Sequence, residues 1–264
     1  MSNTPTILDK LADHARERTE AARSVISLAD TKNKALEMPK GDLAFEKALR
    51  KEGLSFILEC KKASPSKGLI APDFPYLDIA REYESAGADC ISVLTEPRWF
   101  LGSNEYLRDI AKSVKIPCLR KDFTVDEYMI YEAKVLGASA VLLIVSILSK
   151  EQISEYLGIC EELGLSAIVE VHNEKEAHIA RSVKARIIGA NNRDLRDFSV
   201  DGKTSAKLGR LMPDDVIFVS ESGIKTAEDV LAARDARSDA VLIGETLMRA
   251  ADKKAAFDEL RSLL

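Results

Sequence analysis

The chain has 264 residues, 46% hydrophobic and 31% charged, a balance typical of a globular protein with one large domain or two small ones. Lys and Arg total 38 against 43 Asp and Glu, and this mildly acidic composition argues against a nucleic-acid-binding protein. The longest apolar runs, such as 140–145, are much shorter than the ~20 residues of a membrane span, and the N-terminus has no signal-peptide pattern. We therefore expect a cytoplasmic protein with no membrane or nucleic-acid partner.

Residues 1–54 differ in pattern from the rest of the chain. Apolar residues recur at helical spacing from Ile7 to Leu28, which predicts one long amphipathic helix. A short helix is predicted around residues 42–51, after the Pro39-Lys-Gly41 break. We interpret residues 1–54 as a helical extension packed on the main domain as a plug or flap. An independent partner-binding arm is the alternative.

From residue 55 onward, one pattern recurs eight times: a short apolar run rich in β-branched residues, a turn, and an amphipathic stretch. Such alternation predicts parallel strands covered on their outer side by helices. Glycines at 87, 137 and 164 follow predicted helices, as C-caps do. The eight runs are 56–59, 90–94, 116–120, 140–145, 167–171, 186–190, 216–220 and 240–244.

The repeat length distinguishes two ways of arranging these strands. The stretch from Ser55 to Leu264 gives about 26 residues per strand–helix unit, a size that closes naturally into a (β/α)8 TIM barrel. An open doubly wound sheet is the alternative, but it usually has a glycine-rich turn after its first strand, where this chain has Glu59-Cys60-Lys61. The predicted fold is therefore a single barrel domain, 1–264, with its N-terminal extension.

Charged residues stand at the carboxyl ends of five predicted strands. In such barrels these ends form the active site. Three carboxylates and three cations balance in charge, and buried charges persist only when they are paired. A purely structural ion-pair layer is the alternative interpretation. The six residues are Glu59, Glu170, Glu221, Lys61, Lys121 and Arg193.

Glycines after the last two strands predict a phosphate site. Ser222-Gly223 and Gly244-Glu245 stand where such barrels commonly bind phosphate through backbone N–H groups. Ser64 and its neighbours after the first strand add hydroxyl groups. Each dipeptide alone fits an ordinary turn equally well.

Cysteine and histidine spacing gives no metal-binding pattern. The four cysteines occur singly in or beside apolar runs, so we expect buried, reduced thiols. The three histidines show no ligand spacing with cysteines or carboxylates, and we expect no metal site.

Together these motifs resemble the indole-3-glycerol phosphate synthase family, and the likeness extends over essentially the whole chain. The Lys-Asp-Phe and Asn-Asn-Arg-Asp-Leu segments are the most specific. The matching segments are Glu59-x-Lys61-x-x-Ser64-Pro65-Ser66, Ser92-Val93-Leu94-Thr95, Leu119-Arg120-Lys121-Asp122-Phe123, Val141-Leu-Leu-Ile-Val145, Glu170-Val171-His172, Gly189-x-Asn191-Asn192-Arg193-Asp194-Leu195, Glu221-Ser222-Gly223-Ile224 and Leu242-Ile-Gly244-Glu245.

The resemblance implies a carboxy-lyase of tryptophan biosynthesis that uses no cofactor or metal. Its substrate would be 1-(2-carboxyphenylamino)-1-deoxyribulose 5-phosphate, and its products indole-3-glycerol phosphate, CO2 and water. We expect a small-molecule substrate as the partner; the oligomeric state stays open, with a monomer as one alternative. Contacts with other enzymes of the pathway stay open.

The resemblance also implies catalytic roles. Lys121 would be the general acid that protonates the substrate carbonyl, and Glu170 the general base. Lys61 would contact the substrate carboxylate and is also proposed to act in dehydration, so its share of the acid work stays open. Glu59 would orient these groups, and Asn191 would hydrogen-bond the reacting oxygen.

The binding residues follow from the same resemblance. Arg193, Glu221 and Ser222 would line the site. Phe123 and Leu142 would form an apolar wall around the aromatic ring. The phosphate would be held by Ser64, Gly223, Gly244 and the amide of Glu245.

Two questions remain open at this point. Burial and the nearby Lys61 would lower the pKa of Lys121, whereas the carboxylates would raise it, and the sequence does not say which effect is larger. Residues 95–100 carry Glu96 where Asp is more usual and Trp99 where Phe is usual, in what we interpret as a mobile loop whose aromatics cover the site.

Two other kinds of protein fit parts of the pattern. Another phosphate-binding barrel is one: a phosphoribosylanthranilate isomerase would need a Cys/Asp pair at strand ends, but Cys60 is predicted to point outward. A pentose-phosphate epimerase would need His and Asp metal ligands. The second kind is a non-catalytic barrel that only binds a sugar phosphate.

Overall fold

The computed structural model describes residues 6–194 and 199–264, in which eight parallel strands close into a barrel. Each strand pairs with the next along the chain, and the eighth pairs with the first, with Ser55 opposite Ala240. The predicted (β/α)8 barrel is thus confirmed and the open sheet is wrong. The strands are β1 Ser55–Cys60, β2 Cys90–Leu94, β3 Cys118–Lys121, β4 Ala140–Ile144, β5 Ser166–Val171, β6 Ile187–Asn191, β7 Ile217–Glu221 and β8 Ala240–Ile243.

Helices alternate with these strands. The three predicted C-cap glycines, Gly87, Gly137 and Gly164, end their helices in the left-handed conformation. The helices are α1 Ile7–Val25, α2 Leu28–Glu37, α3 Ala44–Leu49, α4 Tyr76–Ala86, α5 Asn104–Ser113, α6 Glu127–Leu136, α7 Lys150–Leu163, α8 Glu174–Ser182, α9 Lys203–Gly209, α10 Ala227–Asp235, α11 Glu245–Arg249 and α12 Lys253–Leu260. Among the described residues, each helix is too short or too polar to cross a bilayer.

The prediction of one continuous helix from residue 7 to residue 28 is wrong, because this stretch contains the end of one helix and the start of another. The chain leaves helical geometry at Ile26 and starts again after Ser27, whose hydroxyl accepts a hydrogen bond from the Asp30 amide. Serine favours such a helix start because its side chain satisfies an N–H group that lacks a helical partner. The extension therefore consists of α1, α2 and the short α3.

The extension contacts the barrel along its full height. In α3, Phe45 and Leu49 are buried in the apolar cluster that fills the barrel interior. The amide of Glu46 donates to the hydroxyl of Ser166 at the start of β5, which places α3 as a plug at the amino ends of the strands. Helix α2 packs on α6, and α1 reaches the loops that follow β2 and β3 at the opposite end.

Buried apolar side chains form two layers, one inside the barrel and one between the strands and the surrounding helices. Cys90 lies in the inner layer, whereas Cys60 packs outward in the helical layer, as the alternation along β1 predicts. All four cysteines are free and buried, which confirms the interpretation of their spacing.

The plug should contribute measurably to stability. Phe45 is fully buried. The substitution Phe45→Ala is expected to lower the free energy of unfolding by about 3–5 kcal/mol, because it removes buried contacts and leaves a cavity. Urea denaturation measures the change. The control Leu36→Ala alters a side chain on α2 that is 43% exposed. Equal stability of the two variants would mean that α3 does not seal the barrel.

Candidate active site

The carboxyl ends of the strands surround one cavity of about 660 Å³. Alternation along each strand decides which side chains reach it, because successive residues point to opposite faces. The structure brings all fourteen predicted site residues to this cavity. They are Glu59, Lys61, Ser64, Lys121, Phe123, Leu142, Glu170, Asn191, Arg193, Glu221, Ser222, Gly223, Gly244 and Glu245.

Lys121 lies between two carboxylates that line the cavity. Its Nζ is 3.1 Å from Oε2 of Glu170 and 2.5 Å from Oε2 of Glu221. Only 2% of each carboxylate side chain and 14% of the lysine side chain are exposed to solvent. One ammonium group therefore bridges two buried carboxylates drawn from β5 and β7.

This arrangement answers the question that the sequence left open. Burial alone would lower the pKa of Lys121, but the carboxylates of Glu221 and Glu170 outweigh it and raise the pKa well above its usual range. For Glu221, burial raises the pKa to about 7. The attraction of Lys121 acts in the opposite direction, but the negative charge of Glu170 adds to the effect of burial. For Glu170, burial is outweighed by Lys121 and by His172, and its pKa is lowered. The ammonium and the Glu170 carboxylate thus stay charged.

A second ion pair lies at the carboxyl end of β1. Nζ of Lys61 lies 2.6 Å from Oε1 of Glu59, whose other oxygen accepts a hydrogen bond from Ser92. Two glycines leave room for the buried carboxylates of Glu59 and Glu221. A Cβ at Gly244 would lie 2.4 Å from Oε1 of Glu59, and one at Gly189 would lie 2.1 Å from Oε1 of Glu221.

The ends of β6 and β7 are joined by Asn192, to which the sequence analysis assigned no role. Asn192 donates to the hydroxyl of Ser220 and to the carbonyl of Ser222, and it accepts from Ser205. It holds Ser222 in a left-handed conformation (φ 67°) next to Gly223 (φ 92°).

On β6 itself, Asn191 accepts a hydrogen bond from the backbone amide of Arg193. Arg193 lines the cavity. The Leu195 of the predicted Asn-Asn-Arg-Asp-Leu motif lies outside the described residues.

The predicted phosphate end is more basic than the sequence analysis recognised. Lys67, Lys225 and Arg249 line the same cavity. The carboxylate of Glu245 is engaged by Arg249 at 3.1 Å and by Lys67 at 3.7 Å. These cations lie in loops and a short helix without strand periodicity, so no pattern in the sequence singled them out.

Apolar side chains form a wall of the same cavity. Phe123 and Leu142, both predicted for this role, line the cavity together with Phe100 and Ile144. The rings of Phe100 and Phe123 have their centroids 6.1 Å apart. The wall and the charged cluster therefore face one shared space.

Helix α1 holds the loop that follows Lys121. Both guanidinium NH groups of Arg18 bond the buried carboxylate of Asp122, which also accepts from the hydroxyl of Thr95 at 2.5 Å and from the amide of Phe123. Burial would raise the pKa of Asp122, but Arg18 and Arg120 outweigh it and hold the pKa below its usual range. Sequence reasoning missed Arg18, since its partner is 104 positions away.

Glu96, noted above as a departure from the usual aspartate, organises its own loop. It is fully buried and accepts hydrogen bonds from the backbone amides of Arg98, Trp99 and Phe100. Nδ1 of His14 on α1 lies 3.0 Å from the same carboxylate, and the Trp99 ring packs edge-on against that histidine. Phe100 reaches the cavity, whereas Trp99 packs on α1.

Comparison with known proteins identifies the family. The sequence matches the indole-3-glycerol phosphate synthase family over residues 8–260. It is 52% identical to the indole-3-glycerol phosphate synthase of Ruminiclostridium cellulolyticum, over 97% of this chain and 98% of that protein. The chain belongs to the indole-3-glycerol phosphate synthase family. The synthase of Endomicrobium trichonymphae is also 52% identical, over 97% of this chain and 99% of that protein.

A solved structure outside this family has the same fold. A thiamine phosphate pyrophosphorylase from Pyrococcus furiosus superposes with a TM-score of 0.60 at 16% identity, covering 83% of this chain and 96% of the other. At that identity the likeness concerns the barrel alone. The synthase family is therefore assigned by sequence and the architecture by both comparisons.

The link from α1 to Asp122 predicts a coupling between the extension and the site of this synthase-family chain. Arg18→Met leaves a buried carboxylate without its main partner and is expected to lower the free energy of unfolding by about 3–5 kcal/mol. Greater mobility of Asp122, the residue next to Lys121, should also lower kcat by roughly tenfold or more. Denaturant titration and steady-state kinetics measure both effects.

The matched control is Arg16→Met, because Arg16 pairs with Asp13 on the exposed side of the same helix. Its stability should change by no more than about 0.5 kcal/mol. Indistinguishable behaviour of the two variants would contradict the coupling.

Proposed function

We propose that this chain closes the pyrrole ring of indole-3-glycerol phosphate, with Lys121 as the general acid and Glu170 as the general base. Membership of the indole-3-glycerol phosphate synthase family makes it a carboxy-lyase of tryptophan biosynthesis. The observation that carries the residue roles is the position of Lys121 between Glu170 and Glu221 in a cavity with an apolar wall and a basic end.

The first step forms the carbon–carbon bond. The ring carbon that bears the carboxylate attacks the ketone carbon of 1-(2-carboxyphenylamino)-1-deoxyribulose 5-phosphate, and negative charge develops on the ketone oxygen. A fixed ammonium group stabilises that charge and supplies the proton that turns the oxygen into a hydroxyl. Because its carboxylate neighbours raise the pKa of Lys121, the residue is fully charged before the attack begins.

Loss of CO2 then restores part of the aromatic system. Decarboxylation is favoured when the carboxylate is removed from water, and the wall formed by Phe100, Phe123 and Leu142 provides an apolar slot for the ring. Lys61 would contact the substrate carboxylate until it leaves. Glu59 holds Lys61 for this task through their 2.6 Å contact.

Dehydration completes the indole. The hydroxyl leaves as water with a proton from an acid, and a base removes the proton that aromatisation releases. We assign the base to Glu170, whose lowered pKa keeps it ionised, and we assign the hydrogen bond to the departing oxygen to Asn191. Lys61 stands in the cavity as a proton donor for this step, and Lys121, which gave its proton to the ketone oxygen in the first step, serves as a donor only after it has regained one.

The phosphate of the substrate would bind at the end formed by Ser64, Gly223, Gly244 and the amide of Glu245. Glycine lets backbone N–H groups approach the anion closely. Lys67, Lys225 and Arg249 around this end favour a dianion, and Arg193, Glu221 and Ser222 would line the adjoining part of the site. We also propose that the protein works in the cytoplasm on this small-molecule substrate, as a monomer.

The assignment is tested by indole fluorescence after mixing purified protein with the carboxyphenylamino-deoxyribulose phosphate. We expect product from the unaltered chain and a loss of kcat of at least about 100-fold in Lys121→Met, because that variant removes the acid. KM should stay within about tenfold, since the lost interaction belongs to the transition state. A non-catalytic sugar-phosphate barrel would give binding without fluorescence.

The control for this variant is Lys112→Met, which alters an exposed lysine on α5. It should keep the unaltered kcat. A Lys121→Met protein with that same kcat would remove Lys121 from the acid role.

The phosphate end is tested by Gly223→Asp. Two like charges about 4 Å apart repel by about 4 kcal/mol near a protein surface, so KM should rise by at least about tenfold while kcat changes little. Gly223→Asn imposes the same backbone strain at φ 92° without the charge and should raise KM less. Equal KM values for the Asp and Asn variants would indicate that the phosphate binds elsewhere in the cavity.

A further inference from the structure

His172 directly follows β5 and stands beside the proposed base. Its Nε2 lies 3.3 Å from Oε1 of Glu170, and its Nδ1 lies 3.0 Å from Oε2 of Glu176 on α8. The imidazole is thus placed between two carboxylates, one in the cavity and one outside it.

His172 contacts Oε1 of Glu170, whereas Lys121 bonds the other carboxylate oxygen. Lys121 contacts Oε2, while Oε1 of Glu170 and Nε2 of His172 are both buried and form no hydrogen bond with any described residue, so their 3.3 Å contact is a charge contact. A buried carboxylate oxygen without a donor is costly unless a charge stands next to it. His172, whose Nε2 lies 3.3 Å from this oxygen, can supply that charge.

Glu176 is itself fixed in place. It accepts hydrogen bonds from the backbone amide of His172 at 2.8 Å and from the side chain of Asn173 at 2.7 Å. The Asn173 side chain in turn caps the start of α8 through the Glu176 amide. This fixed carboxylate therefore holds the imidazole with Nε2 3.3 Å from Oε1 of Glu170.

We propose that His172, held as an imidazolium by Glu176, is a positioning residue that keeps the base Glu170 ionised and oriented while Lys121 turns to the substrate carbonyl. This inference rests on the roles proposed above for Lys121 and Glu170. Once Lys121 leaves Oε2, His172 is the cation that stays beside Glu170. Its contribution is thus greatest in the step where the base acts.

The charges around the pair support this role. Burial would lower the pKa of His172, but its contacts with Glu170 and Glu176 outweigh that and raise the pKa to about 10. Glu170 faces Lys121 from β3, and the negative charges of Glu221 from β7 and Glu59 from β1 share this cluster. The turn Val145–Ile147, which packs against α8, carries no ionisable side chain.

The direct test is His172→Gln, which supplies an amide N–H donor in place of the ring N–H but removes the positive charge. We expect a fall of about tenfold in the single-turnover rate, with KM within about twofold of the unaltered chain. Loss of a neighbouring cation raises the pKa of the base, so the acidic limb of the rate profile should move to higher pH by about one unit. Glu176→Gln, which leaves the histidine in place, should shift that limb in the same direction.

Two exposed residues of the same helix serve as controls. His178→Gln and Glu174→Gln should leave the rate, KM and the pH profile unchanged. Thermal unfolding of all four variants shows whether each is folded. NMR of the imidazole adds a readout that is independent of turnover: His172 should stay protonated at pH values where an ordinary histidine, with a pKa of 6.5, is neutral.

The proposal is overturned if folded His172→Gln keeps the unaltered single-turnover rate and acidic limb, or if the His172 ring titrates as an ordinary histidine. Glu170→Gln separates this result from a failure of the proposed function. If Glu170→Gln is inactive while His172→Gln is unaffected, only the positioning role fails. If Glu170→Gln stays active, the assignment of the base fails as well.

Discussion

The bridge from Lys121 to Glu170 and Glu221 is the interaction on which the site depends. Two carboxylates with 2% exposure would be costly inside the barrel if they stood alone. One ammonium group between them makes the cluster tolerable, but it leaves an excess of negative charge. Burial raises the pKa of Glu221 to about 7, and the excess negative charge adds to this effect; the same excess explains the value of a second cation beside Glu170.

The N-terminal extension fixes the loops around this cluster. Arg18 reaches Asp122, the residue after Lys121, and His14 reaches Glu96, which gathers three backbone amides of the loop after β2. A barrel of eight strands needs neither contact to close. Both contacts join α1 to loops at the mouth, so the extension supports the site as well as sealing the base through Phe45.

The sequence was informative where a local pattern carries the information. Strand alternation placed Glu59 and Lys61 on one face and Cys60 on the other, and the structure agrees. The break at Ser27 was missed because apolar spacing continues across it. Arg18 was missed for a different reason, since its partner is 104 positions away and no spacing rule relates them. The pKa balance at Lys121 likewise depends on distances between strands.

The buried ionisable groups of this cluster make the free energy of unfolding depend on pH. A group whose pKa is higher in the folded than in the unfolded protein binds its proton more tightly when folded, so its stabilisation is present at low pH and is lost as the pH passes the folded value. Glu221, raised from 4.5 to about 7, and His172, raised from 6.5 to about 10, both act in this direction. Glu170 acts oppositely, because its lowered pKa favours the fold above its ordinary value. An apolar floor would be free of this dependence, so the cluster is better explained by its chemistry than by the stability of the barrel.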